Sequence, residues 1–135
     1  MAKDEDQADR RRSHDVITVA DMCVDLILSG NARPAFNQVE QIVGDYALAP
    51  GGSANIFAGQ YANLGGSAAV IGRLGDDPFG RFALARLKEA GVATDRVEVD
   101  PDARTGIGVA LLDGDDRAIL TWPGTIDAVE PRDLD

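Results

Sequence analysis

The protein is a chain of 135 residues, enough for one domain with a hydrophobic core and too few for two. Its 23 acidic residues outnumber 13 Lys and Arg residues, and the net charge of −10 argues against nucleic acid and anionic membranes as partners. The single cysteine, Cys23, cannot form an internal disulfide bond, which favours a reducing, cytoplasmic location for the protein. Cys23 itself is expected to be a small buried residue.

The first 14 residues form a charged stretch without an apolar segment. Their sequence, MAKDEDQADRRRSH, is typical of a disordered, solvated tail and unlike a secretory signal. The most apolar segment, at 16–28, contains two aspartates and is too short and too charged to span a membrane. The folded domain is therefore predicted to cover 15–135.

The first predicted elements are a strand and a helix. Residues 16–20, VITVA, are β-branched and apolar without polar alternation, which predicts a strand buried on both faces of a parallel sheet. Short strands and loops are expected between 24 and 48. From Ser53 to Leu64 apolar residues recur at helical spacing, with Ser53 as the predicted N-cap and Gly65 as the residue that ends the helix.

A second strand and helix follow. The run SAAVIG at 67–72 predicts a short buried strand, and the next segment predicts a helix with Asp77 as cap, Pro78 at its first position and Gly91 as its end. Asp76 and Asp77 are explained as turn and cap residues, so no metal site is predicted. The alternation of strands and helices predicts an α/β layer sandwich with parallel strands.

After Gly91 the pattern becomes that of an antiparallel hairpin. Two β-branched, apolar runs between 105 and 122 flank the turn sequence DGDD. Together with the strands at 24–48 they predict a small second sheet. Near the end of the chain Pro131 is placed to start a helix that is then not completed, so we expect an incomplete, N-terminal portion of a larger fold.

Two aspartates and a glycine pair are candidates for a binding site. Asp21 and Asp25 follow the first strand, where open α/β sheets bind ligands, and a buried carboxylate needs a hydrogen-bond partner or a ligand. Gly51 and Gly52 precede a helix, whose exposed N–H groups can bind an anion or a hydroxyl group. Alternatively, Asp25 is a structural cap and the glycines form a tight turn. The glycine spacing matches neither a dinucleotide-binding nor a phosphate-binding loop.

Three stretches of the sequence resemble the N-terminal part of the PfkB/ribokinase-like carbohydrate kinases: ADMCVDLI (20–27), GGSANIFAGQYANLGGSAAVIGRLGDDPFGR (51–81) and TGIGVALLDGDDRAILTWPGTIDAV (105–129). The resemblance implies a Rossmann-like, ribokinase-like body with a β-sheet lid formed by the strands at about 24–48 and 105–122. It implies ATP-dependent phosphorylation of a sugar hydroxyl, with ATP and Mg²⁺ bound by residues outside this chain. The lid strands are also a candidate homodimer interface.

The resemblance further implies which residues contact the sugar. Asp25 matches the acid that hydrogen-bonds sugar hydroxyls, and Gly51 and Gly52 match the pair that lets the sugar approach the backbone. The catalytic base of the family lies in a glycine-rich segment ending in Gly-Asp, in the last third of a chain more than twice this length. No catalytic residue is therefore expected within these residues.

The asparagine of the family pattern is displaced in this sequence. Counted back from Leu64 and Gly65, it should fall at position 56, which is Ile56, whereas Asn55 lies one residue earlier. One residue is about 100° around a helix, so Asn55 is expected to reach the sugar only if the start of the helix is rearranged.

Two functions remain open at this point. The first is that of the substrate-binding half of a sugar kinase, inactive by itself because the catalytic segment is missing. The second is a non-catalytic module that uses the lid-like strands for sugar binding or subunit association.

Overall fold

The computed structural model describes residues 14–135, which form two β-sheets and two α-helices. In chain order the elements are β1 (Val16–Val19), β2 (Cys23–Ser29), β3 (Asp45–Gly51), α1 (Ser53–Asn63), β4 (Ala68–Gly75), α2 (Pro78–Glu89), β5 (Ala93–Asp100), β6 (Gly106–Asp113), β7 (Asp116–Trp122) and a final 3₁₀ helix (Pro131–Leu134). The predicted α/β class is confirmed. Neither helix of this part of the chain is long and apolar enough to cross a bilayer.

The predicted tail lies outside the described residues except for its last member, His14. The Nδ1 atom of His14 is 3.1 Å from the hydroxyl oxygen of Ser67, just before β4. The backbone N–H of Asp15 also donates to the carbonyl oxygen of Ser67. The first two described residues are therefore in contact with Ser67, the residue before β4.

The first sheet is parallel and has the strand order β1-β4-β5. Both helices pack on the same face of this sheet, because Ala58 of α1 and Ala83 and Leu87 of α2 belong to one core cluster with Val70 and Leu74 of β4. All five side chains are at most 3% exposed. Burial of this apolar surface is the main favourable contribution to folding.

The prediction that β1 is buried on both faces is wrong for the residues that the structure describes. Ile17 is 60% exposed and Val19 is 50% exposed. Their side chains point away from the helices, since alternate residues of a strand face opposite sides of the sheet. One apolar face of β1 is therefore not covered by the helices of residues 14–135.

The second sheet is mixed, with the strand order β3-β2-β6-β7. β2 pairs antiparallel with β3 and parallel with β6, and β6 and β7 form the hairpin predicted from DGDD. The hairpin turn lies between Asp113 and Asp116, with Gly114 in a left-handed conformation at φ +61°. Helix α2 contacts both sheets and packs against β2 and β3 on one side and β4 and β5 on the other.

The ends of the helices are set by glycines. After α1, the N–H of Gly65 donates to Ala62 and that of Gly66 to Tyr61, the paired bonds that close a helix with a left-handed residue. Gly91 ends α2 in the same way. Both predicted helix ends are confirmed.

The predicted N-cap of α1 is wrong. Ser53 is the first helical residue, and the cap is Gly52, at φ +86°. A Cβ atom on Gly52 would overlap the carbonyl oxygen of Asp21, so glycine is required here by space as well as by conformation.

Asp77 caps α2 as predicted and also joins three elements. Its Oδ1 accepts from the N–H of Gly80 at 2.8 Å, and its Oδ2 accepts from the N–H of Thr105 at 2.7 Å. The hydroxyl oxygen of Thr105 in turn accepts from the N–H of Gly75 at 2.9 Å. Partial burial raises the pKa of Asp77, but the hydrogen bonds from Gly80 and Thr105 outweigh it and leave the pKa below its ordinary value.

The end of the chain is fastened to the face of the first sheet that lies opposite the helices. Pro131 begins the 3₁₀ helix, as predicted, and Glu130 precedes it as its cap. The guanidinium group of Arg73 donates to both carboxylate oxygens of Asp133, at 3.0 and 2.8 Å, and also pairs with Glu98 at 3.1 Å. The hydrogen bonds from Arg73 lower the pKa of Asp133 to about 2.

We expect Gly52→Ala to destabilise the full-length protein by at least about 2 kcal/mol more than Gly65→Ala. Both glycines have positive φ, so both substitutions carry a left-handed penalty of roughly 1–2 kcal/mol. Only at Gly52 does the new methyl group also meet backbone, because the space around Gly65 is open. Urea unfolding of the two variants measures the difference, and equal losses would show that the Asp21 contact is unimportant.

We expect Asp77→Asn to lower stability at neutral pH by about 1 kcal/mol, because an amide cannot accept both N–H groups. Since the pKa of Asp77 is lowered on folding, its carboxylate stabilises the protein above about pH 4 and loses this contribution as the pH falls through the folded-state pKa. The variant should therefore lose less stability than wild type between about pH 5 and 2. Thermal unfolding across this range tests the prediction, with Asp115→Asn in the exposed hairpin turn as control. Parallel pH profiles for wild type and Asp77→Asn would contradict it.

Candidate functional site

The predicted substrate-binding residues lie together where the two sheets join. The connection from β1 to β2 carries Asp21, and the end of β3 carries Gly51 and Gly52. Antiparallel pairing of β2 with β3 sets Cys23 opposite Gly51, so the next inward-facing side chain on β2, that of Asp25, lies beside Gly51. A Cβ atom on Gly51 would be 2.8 Å from Oδ2 of Asp25, which measures how closely the two residues approach.

Asp25 is half-buried and forms no hydrogen bond or ion pair with another residue of the described chain. Burial raises the pKa of its carboxyl group. Withdrawing a carboxylate from water without giving it a partner costs free energy, and such groups are enriched at binding and catalytic sites. Of the two roles considered for Asp25, a structural cap is therefore not supported.

Gly108 is a member of this site that the sequence did not reveal. It pairs with Asp25 across the parallel strands β2 and β6, and a Cβ atom on Gly108 would be 2.5 Å from Oδ1 of Asp25. The carboxylate of Asp25 thus lies between two glycines on neighbouring strands, with Oδ2 toward Gly51 and Oδ1 toward Gly108. The register between β2 and β6 creates this arrangement, and no local pattern in the sequence indicates it.

Asn55 also contacts Gly51. Its side chain is 1% exposed, and its Nδ2 donates to the carbonyl oxygen of Gly51 at 3.2 Å, whereas its Oδ1 has no partner among residues 14–135. Helix α1 starts regularly, with the N–H of Ile56 bonded to Gly52 at 2.9 Å, and Ile56 is 47% exposed. The regular start of α1 thus places Asn55 beside the glycine pair, and its contact with the sugar stays a prediction.

Gly52 has no side chain that could cap α1, and the carboxylate of Asp21 caps this helix instead. Its Oδ2 accepts from the backbone N–H and the hydroxyl group of Ser53 at 3.3 and 3.4 Å, and its Oδ1 accepts from the N–H of Ala54 at 3.3 Å. These bonds satisfy N–H groups that have no partner within the helix. Asp21 thus has hydrogen-bond partners, and its predicted need for a partner or a ligand is met within the protein.

Cys23 lies between the two aspartates and is buried, as predicted. Burial, and then the negative charges of Asp25 and Asp21, raise the pKa of its thiol to about 11. Cys23 is therefore a neutral thiol at physiological pH and not an activated nucleophile.

The site offers acceptor oxygens beside three glycines. A carboxylate and an amide oxygen without partners in the described chain accept hydrogen bonds from hydroxyl groups. Within residues 14–135 no three His, Cys, Asp or Glu side chains are grouped so that they could hold a metal ion.

A cavity of about 220 Å³ lies elsewhere, between the loop after β2 and the β6–β7 hairpin. Its charged lining includes Arg33 and Asp113, which pair with each other at 2.7 Å. The lining of this cavity does not include Asp25, Gly51, Gly52 or Asn55, so the cavity is not part of the candidate site.

Comparisons with known proteins identify the family of the chain. The family model for the pfkB family carbohydrate kinases matches residues 13–135. Fructokinase-1 from Oryza sativa subsp. japonica is 36% identical over 109 residues, which are 77% of this chain and 31% of that protein. Ribokinase from Bacillus subtilis is 28% identical over 117 residues, 86% of this chain and 39% of that protein.

Among solved structures, the fructokinase from Halothermothrix orenii matches with a TM-score of 0.69 and 29% identity, over 82% of this chain and 38% of that chain. The chain thus spans between about a third and two fifths of the length of these relatives. The match of the family model over nearly the whole sequence decides the assignment. The chain belongs to the PfkB family of carbohydrate kinases.

Proposed function

We propose that this chain carries the substrate-binding part of an ATP-dependent sugar kinase and that Asp25, Gly51, Gly52 and Asn55 bind the sugar. The observation that carries the proposal is the half-buried carboxylate of Asp25, which has no protein partner and lies between two glycines. A polyol supplies the hydroxyl donors that this carboxylate lacks. Charge-assisted hydrogen bonds of this kind are stronger than neutral ones and suit selective recognition of hydroxyl groups.

Asn55 extends the same surface. Its Oδ1 is buried without a partner, and a buried amide oxygen is costly unless a ligand or water satisfies it. Asn55 is hydrogen-bonded to Gly51 and Asp25 lies beside the same glycine, so both are proposed to contribute to one sugar site.

The catalytic base and the residues that bind ATP and Mg²⁺ are proposed to lie outside residues 1–135. Phosphoryl transfer requires a positioned nucleophile and stabilised phosphate charge, and the described residues are proposed to supply the first requirement only. By itself the 135-residue chain is therefore proposed to be inactive as a kinase.

The second sheet is proposed to act as a lid over the sugar and as the interface between the two subunits of a homodimer. The protein is proposed to be cytoplasmic. Its strands expose large apolar side chains, including those of Tyr46 (71%), Ile119 (52%) and Leu120 (66%). Large apolar side chains exposed on a sheet are available for association with another subunit. Sedimentation velocity of the full-length protein should give a dimer, and a dimer that survives polar substitution of Ile119 and Leu120 would contradict this interface.

The alternative function, a non-catalytic sugar-binding or association module, is distinguished by activity. A full-length protein that binds a sugar but transfers no phosphate from ATP would favour the alternative.

We expect the full-length protein to phosphorylate a neutral sugar such as fructose or ribose with ATP and Mg²⁺, and Asp25→Ala to lower kcat/KM by at least about 100-fold. Loss of a charged acceptor that contacts the substrate explains this effect. A coupled assay for ADP gives the rates, and melting temperatures verify that the variant is folded. The control is Asp115→Ala, which removes a carboxylate from the exposed hairpin turn. Full activity of Asp25→Ala would remove Asp25 from the site.

We expect Gly108→Ala to raise the KM for the sugar by about tenfold, since the new methyl group displaces the carboxylate of Asp25. Stability should change little, because the displaced atoms are at the end of a side chain. Gly59→Ala is the matched control, as a Cβ atom there meets no other atom within 4 Å. A KM that is the same for Gly108→Ala and Gly59→Ala would show that Gly108 does not position Asp25.

A further inference from the structure

The N-terminus of α1 lies directly after Gly51 and Gly52. The carboxylate of Asp21 compensates the partial positive charge of this helix end. A helix N-terminus carries the equivalent of about half a positive charge and attracts anions. Here the carboxylate of Asp21 accepts hydrogen bonds from Ser53 and Ala54. The part of the site that could bind a phosphate or carboxylate group of a ligand is thus occupied by a side chain of the protein.

The rest of the surroundings adds negative charge. Asp25 is a second carboxylate beside Gly51, and among residues 14–135 neither Asp21 nor Asp25 is paired with Lys or Arg. The arginines of the described chain that form ion pairs bind other acids, as Arg73 binds Asp133 and Arg81 binds Asp76. The higher thiol pKa of Cys23, to which both aspartates contribute after burial, is consistent with a negative potential between them.

We propose that Asp21 determines specificity by making this site select neutral sugars over sugar phosphates and sugar acids. This inference rests on the proposed sugar-kinase function and deepens it. Asp21 fills the helix N-terminus and, together with Asp25, repels a second anion, whereas the hydroxyl groups of a neutral sugar are attracted to Asp25. Asp21 acts through charge and through the helix end, so it is not a catalytic residue.

The test compares binding of fructose, fructose 6-phosphate and gluconate to the full-length protein by isothermal titration calorimetry. Wild type should bind fructose at least about tenfold more tightly than either anion, a ratio expected from one like-charge repulsion in a partly screened site. Asp21→Asn keeps an oxygen that can cap α1 but removes the charge, and should reduce the ratio about tenfold. Asp115→Asn changes the net charge equally at the distant hairpin turn and should leave the ratio unchanged.

Three results would overturn the inference. The first is equal affinity of wild type for fructose and fructose 6-phosphate. The second is an unchanged ratio in a folded Asp21→Asn variant that still binds fructose. The third is failure of the wild-type protein to bind or phosphorylate fructose or ribose, which refutes the proposed function as well and is thereby distinguished from the first two.

A measurement on wild type alone decides the question if Asp21→Asn does not fold. Salt screens repulsion between like charges, so raising NaCl from about 0.05 to about 0.5 M should strengthen the weak binding of fructose 6-phosphate and leave that of fructose unchanged. Weaker binding of the phosphate at high salt would indicate an attractive site and contradict the inference.

Discussion

The close approach of two backbone connections determines both the fold and the site. One connection joins β1 to β2 and carries Asp21, and the other joins β3 to α1 through Gly52, where any side chain would overlap the carbonyl oxygen of Asp21. This contact holds α1 at a distance from which Asp21 can cap it. It also holds the end of β3 against β2, so that Gly51 lies beside Asp25.

Two aspartates four residues apart acquire different roles from their surroundings. Asp21 reaches the first N–H groups of α1 and is satisfied by them, whereas Asp25 points between Gly51 and Gly108 and has no partner in the described chain. The difference follows from what each carboxylate contacts, since the two residues are chemically identical. One carboxylate organises the helix and the other remains available for a ligand.

The sequence predicted those features that local chemistry decides. Asp77 as a cap, Gly65 as a helix end and the DGDD turn depend on neighbours within a few residues, and all three are present. Features that depend on tertiary contacts were missed. β5 was not predicted, because its charged residues interrupt the apolar pattern of an edge strand, and Asp21 displaced Ser53 as the cap of α1 from 32 residues away. Gly108 joins Asp25 only through the register of two strands.

The central claim is that the unpartnered carboxylate of Asp25 is a receptor for sugar hydroxyl groups. A crystal structure of the full-length protein with bound fructose tests it most directly. Two sugar hydroxyl oxygens should lie within about 3 Å of the Asp25 oxygens, with the ring over Gly51 and Gly52. A sugar bound elsewhere, with Asp25 contacting only water, would contradict the account.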